Sequence, residues 1–221
     1  MRYLTDLAQP GQHADTLLIL LPGAYHQPED FIKEGFVQAV RQRQLAVDLI
    51  MAELSFSQIA DQSALPEIHN SLIQPAIAAG YKNIWLAGIS IGAYVAMAYA
   101  GRYPDQLLAG LLLLAPYPGN RMTTGEVAFA GGIQAWAPDA IPDEDTERHN
   151  WYWLKTHANS KDIEVHLGYG EQDRFAESHL MMAQALPAIR VDKVPGDHVW
   201  PVWQELWHTF LDKRFGTNTD D

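Results

Sequence analysis

The sequence contains no cysteine. That absence removes disulfides, thiolate metal sites and a cysteine nucleophile together. No stretch reaches the roughly 18 apolar residues a spanning helix needs. The first apolar run, Thr16-Leu17-Leu18-Ile19-Leu20-Leu21, is too short for a signal-peptide core, and only Arg2 stands ahead of it where a basic region would be. With no export signal read, the cytoplasm is the expected location. Basic residues are scarce: 15 Lys+Arg stand against 27 Asp+Glu, for a formal net charge of −12. With no basic run, binding to nucleic acid through phosphates is disfavoured. His-Glu-x-x-His, the Walker phosphate loop and G-x-G-x-x-G are all missing, so no metal, nucleotide or other cofactor is expected.

What is present is a globular balance over 221 residues, 48% hydrophobic and 19% charged. One domain spanning residues 1–221 is expected, since a chain this long buries roughly 70% of its extended surface without staples. Short apolar runs at 17–21, 47–54, 84–87, 107–115, 163–167 and 189–194 are bounded by Gly, Pro or polar residues. Continuous apolarity suits parallel strands covered on both faces. Helical spacing falls between them, at 66–80, 93–103, 178–186 and 201–215. Alternation of strand and helix predicts an α/β protein with a mostly parallel sheet and helices on both faces.

The rhythm breaks between Pro116 and Ser160. That stretch is first rich in Gly and Pro, then acidic (Asp139, Asp143, Glu144, Asp145, Glu147), and ends in His149-Asn150-Trp151-Tyr152-Trp153-Leu154. An insertion this long without strands is often a lid or binding loop. Residues 118–160 are therefore expected to form a small cap. The acidic run reads as a solvated face.

Gly88-Ile89-Ser90-Ile91-Gly92 lies between a strand and a small-residue helix. In that setting G-x-S-x-G is a sharp turn that lifts a serine hydroxyl to the N-terminus of a helix, whose dipole favours developing negative charge. Side chains two residues either way would collide with neighbouring backbone. Serine needs a base in hydrogen-bond reach. Of nine histidines, His198 is best placed, in the loop Pro195-Gly196-Asp197-His198 after the last strand. The scattered His13, His69, His157, His166, His179 and His208 read as surface or half-buried residues. The base in turn needs a carboxylate to hold its tautomer. No Asp or Glu lies between Gln106 and Gly125, which empties one common placement. The loop Gly168-Tyr169-Gly170-Glu171-Gln172-Asp173 offers Asp173 first and Glu171 in reserve. Asp197 ranks below both because a neighbouring side chain turns back to the ring with difficulty.

The order Ser90, Asp173, His198, each after a different strand, resembles the α/β-hydrolase superfamily over about Thr16 to Phe215. The chain's small size makes it similar to the small carboxylesterase and acyl-thioesterase branch. The resemblance implies an α/β-hydrolase fold and a cofactor-independent serine hydrolase acting on a small-molecule carboxylic ester or thioester. A peptidase, lactonase or acyltransferase would use the same residues, and a non-catalytic binding module on this fold is the alternative from another class. It also implies an oxyanion hole with one backbone N–H from Ile91 and another from Leu21-Pro22-Gly23-Ala24-Tyr25-His26. Ala24 is the expected donor and Tyr25 the alternative. Pro22 stands where the superfamily often has histidine, which puts side-chain bracing of that loop in doubt.

Pocket walls are expected from aromatic residues flanking the motifs or lying in the insertion: Tyr25, Phe56, Trp136, Trp151, Trp153, Phe175 and Trp200. Such walls suit an apolar acyl or alkyl group. The spacing of Trp200, Trp203, Trp207 and Phe210 is helical and reads as the packed face of the last helix. The sequence leaves the oligomeric state undetermined.

Overall fold

The computed structural model describes residues 1–104 and 107–216. Seven strands form one sheet: β1 (Tyr3–Asp6), β2 (Thr16–Leu21), β3 (Val47–Ala52), β4 (Asn83–Ile89), β5 (Gly110–Leu114), β6 (Glu164–Gly170) and β7 (Val191–Val194). Their order is β1-β3-β2-β4-β5-β6-β7, parallel throughout except for β1, which pairs antiparallel with β3. The sequence reading placed the six parallel strands and missed β1. That strand is short and half-exposed at an edge, so it carries no apolar run.

The alternation along β2 explains why its residues are all apolar. Leu17, Ile19 and Leu21 enter one core and Leu18 and Leu20 the other. The first core is closed by α4 (Ala64–Ile68), α5 (Gln74–Ala79), α6 (Ile91–Arg102) and an insertion helix named below. The second is closed by α1 (Pro28–Lys33), α2 (Phe36–Gln42) and the C-terminal helix Trp200–Phe215. Between α4 and α5 the chain makes a π-helical turn, His69–Ile73. It ends just before Pro75, which has no N–H to continue the regular ladder. A short α3 (Phe56–Ala60) starts on a Ser55 cap.

The stretch after β5 is more regular than its composition suggested. It holds α7 (Arg121–Phe129) and α8 (Thr146–His157). Asn120 caps α7 by accepting from the Met122 and Thr123 N–H groups, and Asp145 caps α8 by accepting from Arg148. The acidic run is thus only partly a solvated face. Asp145 also pairs with Arg148, which reaches Glu126 on α7. These contacts tie the two helices together, and α8 packs on α6. Two further helices complete the chain, α9 (Ala176–Ala183) and α10 (Trp200–Phe215).

One buried charge supports the sheet far from its C-terminal edge. Asp48 on β3 is fully buried and accepts from the Ala8 N–H, the Ala14 N–H and the Tyr81 hydroxyl. It anchors the β1–β2 connection. Among the described residues, no helix is long and apolar enough to cross a membrane.

Candidate active site

The turn from β4 into α6 forces Ser90 to φ 53° and ψ −113°. A non-glycine residue there costs of order 1–3 kcal/mol and persists only where its surroundings over-determine it. They do so here. The Ser90 N–H donates to the Leu114 carbonyl at 2.8 Å, and its own carbonyl accepts from Ala93, Tyr94 and Tyr117. A methyl group on Gly88 would lie 2.3 Å from the Ala93 nitrogen. One on Gly92 would lie 2.3 Å from the Leu21 carbonyl oxygen. Both flanking glycines are therefore required by backbone approach.

Two loops at the same edge of the sheet bring the other groups. His198 Nε2 lies 2.9 Å from Ser90 Oγ, and His198 Nδ1 lies 2.7 Å from Asp173 Oδ2. A carboxylate at Nδ1 fixes the proton there and leaves Nε2 free to accept from the serine hydroxyl. Asp173 is buried and its second oxygen accepts from the Phe175 N–H at 2.8 Å. Burial works against its charge. The His198 and Phe175 hydrogen bonds outweigh it and hold the carboxyl below the usual range. Glu171 is exposed, and Asp197 accepts from the His198 backbone N–H rather than from its ring. The loops that carry Asp173 and His198 are fastened to each other. Gln172 N–H donates to the Gly196 carbonyl, and the Gln172 side chain accepts from the Gly196 N–H.

His179 departs from the sequence reading. It is fully buried on α9 behind Asp173, with Nε2 donating to the Pro116 carbonyl at 2.8 Å. Burial pushes its pKa down to about 4. His166 is likewise buried, at the start of β6. Both sit in regular elements whose surroundings the local sequence does not reveal. Among the described residues, no group of three His, Asp or Glu is placed to hold a metal ion.

No protein-family model matches the sequence, and no curated protein matches it. Solved structures do. The fluorophosphonate-binding serine hydrolase FphF of Staphylococcus aureus superposes with a TM-score of 0.68 at 16% identity, over 96% of this chain and 91% of that one. Est1E of Butyrivibrio proteoclasticus gives 0.65 at 17%, over 96% and 91%. MGS-MChE2, an α/β-hydrolase enzyme from a lagoon-sediment metagenome, gives 0.56 at 14%, over 96% and 94%. The chain has the α/β-hydrolase fold.

In this fold the loop after β2 is a tight turn. His26 N–H donates to the Gly23 carbonyl, and Tyr25 takes φ 65° at its third position. Among the described residues, neither the Ala24 nor the Ile91 backbone N–H is spent on a hydrogen bond. The sequence reading passed over His26. Its ring lies 4.8 Å from that of Trp200 and 5.8 Å from that of Trp203.

The expected pocket walls divide. Phe175 is beside His198, its ring 5.6 Å from that of His198 and 5.8 Å from that of Tyr117. Tyr25 is exposed and leans on Phe56. Trp200 packs against Phe31, Phe36 and His26, beneath the turn. Trp136 and Trp151 do not wall a pocket. Both are buried in the core shared with α6, and their indole N–H groups are spent on Glu126 and the Pro118 carbonyl. Trp153 is largely buried in that core but also lines a separate cavity of about 740 Å³ with Leu65, Tyr103 and Asn150. Large apolar rings in an insertion were needed to fasten it down. The cavity that adjoins Ile91 has a volume of about 530 Å³ and is lined by Ile59, Tyr94, Tyr117, Thr123, Glu147 and neighbours. Its walls are mixed in polarity. Glu147 accepts from the Asn120 N–H and the Thr123 hydroxyl, and so ties α8 to the start of α7.

Proposed function

We propose that this protein is a serine hydrolase that cleaves a small-molecule carboxylic ester or thioester through an acyl-enzyme on Ser90. The observation that carries this reading is the unbroken hydrogen-bond chain Ser90–His198–Asp173 at the strained turn. In the proposed mechanism Ser90 Oγ attacks the substrate carbonyl while its proton passes to His198 Nε2. Asp173 stabilises the imidazolium and holds its tautomer. The oxyanion takes hydrogen bonds from the Ala24 N–H of the loop after β2 and from the Ile91 N–H at the start of α6, where the helix dipole adds to them. His198 then gives its proton to the departing alkoxide or thiolate as the C–O or C–S bond breaks. Water enters, loses a proton to His198, and attacks the acyl carbonyl. The proton returns to Ser90 Oγ and the carboxylic acid leaves. The cavity beside Ile91 would hold the group attached to the reacting carbonyl, with residues 118–160 as the cap that closes it.

Incubation with a fluorophosphonate probe tests the reading. The parent protein should label at Ser90. Ser90→Ala should remain folded, fail to label, and lose ester hydrolysis by several orders of magnitude. A folded Ser90→Ala protein that keeps most of its activity would overturn the proposal.

A further inference from the structure

The loop carrying the proposed Ala24 donor is pinched between two neighbours. On one side a methyl group on Gly92 would lie 2.7 Å from the Pro22 carbonyl oxygen, so the first turn of α6 touches the loop through backbone alone. On the other side a methyl group on Gly23 would lie 3.0 Å from His26 Nδ1. The His26 ring is supported in turn by Trp200 and Trp203, and the Trp203 ring stands edge-on to that of His198 at 5.1 Å. One indole thus borders both the triad histidine and the ring that backs the loop. His26 Nδ1 is buried and has no hydrogen-bond partner.

We propose that His26 is a positioning residue for the oxyanion hole: it presses a proton-free Nδ1 edge against Gly23 and so fixes the Ala24 N–H beside Ser90. The proposal rests on the serine-hydrolase reading above. Its physical basis is the orphaned nitrogen. An N–H at that atom would be a buried donor without an acceptor, which the folded state disfavours. The ring therefore keeps its proton on Nε2. The groups facing it pull in both directions: burial and His198 oppose its protonation, while Asp30 and Glu34 favour it, and burial prevails. When acid does protonate the ring, Nδ1–H must find an acceptor, the ring leaves Gly23, and the loop loses its backing. His26 thereby takes the place of the brace that Pro22 denies the loop, from three residues further along the chain.

The experiment measures kcat and KM for p-nitrophenyl acetate from about pH 4.5 to about pH 8, with fluorophosphonate labelling and thermal melts alongside. His26→Ala should lower kcat by about 10- to 100-fold with KM within about threefold, since a transition-state contact is lost and ground-state binding is not. His26→Phe keeps an aromatic ring on the tryptophans but replaces the bare nitrogen with C–H, and should remain as slow. His26→Asn places a proton-free oxygen near the position of Nδ1 and should recover kcat to within about fivefold of the parent. The parent's acid limb should steepen towards a slope of two, and His26→Asn should return it to one. A His26→Phe protein as fast as the parent, or an acid limb that His26→Asn leaves unchanged, would overturn the positioning role and leave Ser90 labelling intact. A parent that neither labels nor turns over would overturn the serine-hydrolase reading, and this proposal with it.

Discussion

Asp173 keeps its charge inside the protein because both carboxylate oxygens are occupied, one by the His198 ring and one by the Phe175 N–H. Replacing it with asparagine keeps the shape and removes the charge. Asp173→Asn should fold and lose up to about 10⁴ in kcat, the loss expected when the wrong histidine tautomer is locked in. Glu171→Gln should do far less, because Glu171 is exposed. Steady-state kinetics on any turned-over ester decides between them, and reversed effects would move the acid to Glu171. His179 makes a separate prediction at this scale. It is neutral when folded, with a pKa of about 4 against about 6.5 in an unfolded chain. The unfolded state therefore binds more protons between those values, and stability falls as pH drops through that window. From this residue alone the loss between pH 7.5 and pH 5 is about 2 kcal/mol. Urea midpoints at the two pH values should show it. His179→Gln, which can still donate to the Pro116 carbonyl, should flatten the difference.

At the scale of elements, the β4–α6 turn works only because its flanking residues are glycine. Gly92→Ala would drive a methyl group into the Leu21 carbonyl and push α6 off the β2 loop. It should cut activity by more than tenfold even if the protein remains folded, because a 1 Å misplacement near the reacting atoms can cost about 10² in rate. The segment between β5 and β6 obeys a different logic. α8 is fastened by Trp151 and Leu154 in the core and by Asn150 donating to the Tyr94 carbonyl. Trp151→Ala should destabilise the protein by about 3–5 kcal/mol, seen as a lowered melting temperature, because it empties a large buried site. The preference among acyl chain lengths should stay as in the parent. A shifted chain-length profile without loss of stability would return Trp151 to the pocket.

For the whole molecule, the net charge of −12 and the acidic rim of the cavity beside Ile91 bear on substrate choice. Glu144, Asp145 and Glu147 line that cavity with Arg148, and Arg148 is already paired with Asp145 and Glu126. Anionic substrates are repelled across such a surface, and salt screens the repulsion over a Debye length of about 8–10 Å. Uncharged esters should therefore be turned over with higher kcat/KM than acyl-CoA thioesters of the same acyl group. Raising ionic strength should narrow that gap by improving the thioester and leaving the neutral ester unchanged. A gap that ignores salt would assign the discrimination to shape alone.

The sequence by itself determined the parallel sheet and the three residues now found in one hydrogen-bond chain, because each rests on local chemistry. Buried parallel strands must be apolar on both faces, as Leu17–Leu21 are, and a serine at a strand-to-helix turn must have glycine two residues either side. Asp173 and His198 were legible for the same reason, being short-range signals after strands. Only the tertiary structure decided what each remaining aromatic and histidine faces. Trp136 and Trp151 read as pocket walls from their place in the chain, and the packing of their segment on α6 put both in the core. His26 carried no signal until its ring was seen folded onto Gly23 and resting on two tryptophans some 175 residues away. Spacing along the chain fixes which face of an element a side chain shares. What lies opposite that face is set by contacts between elements distant in sequence, and no local pattern records them.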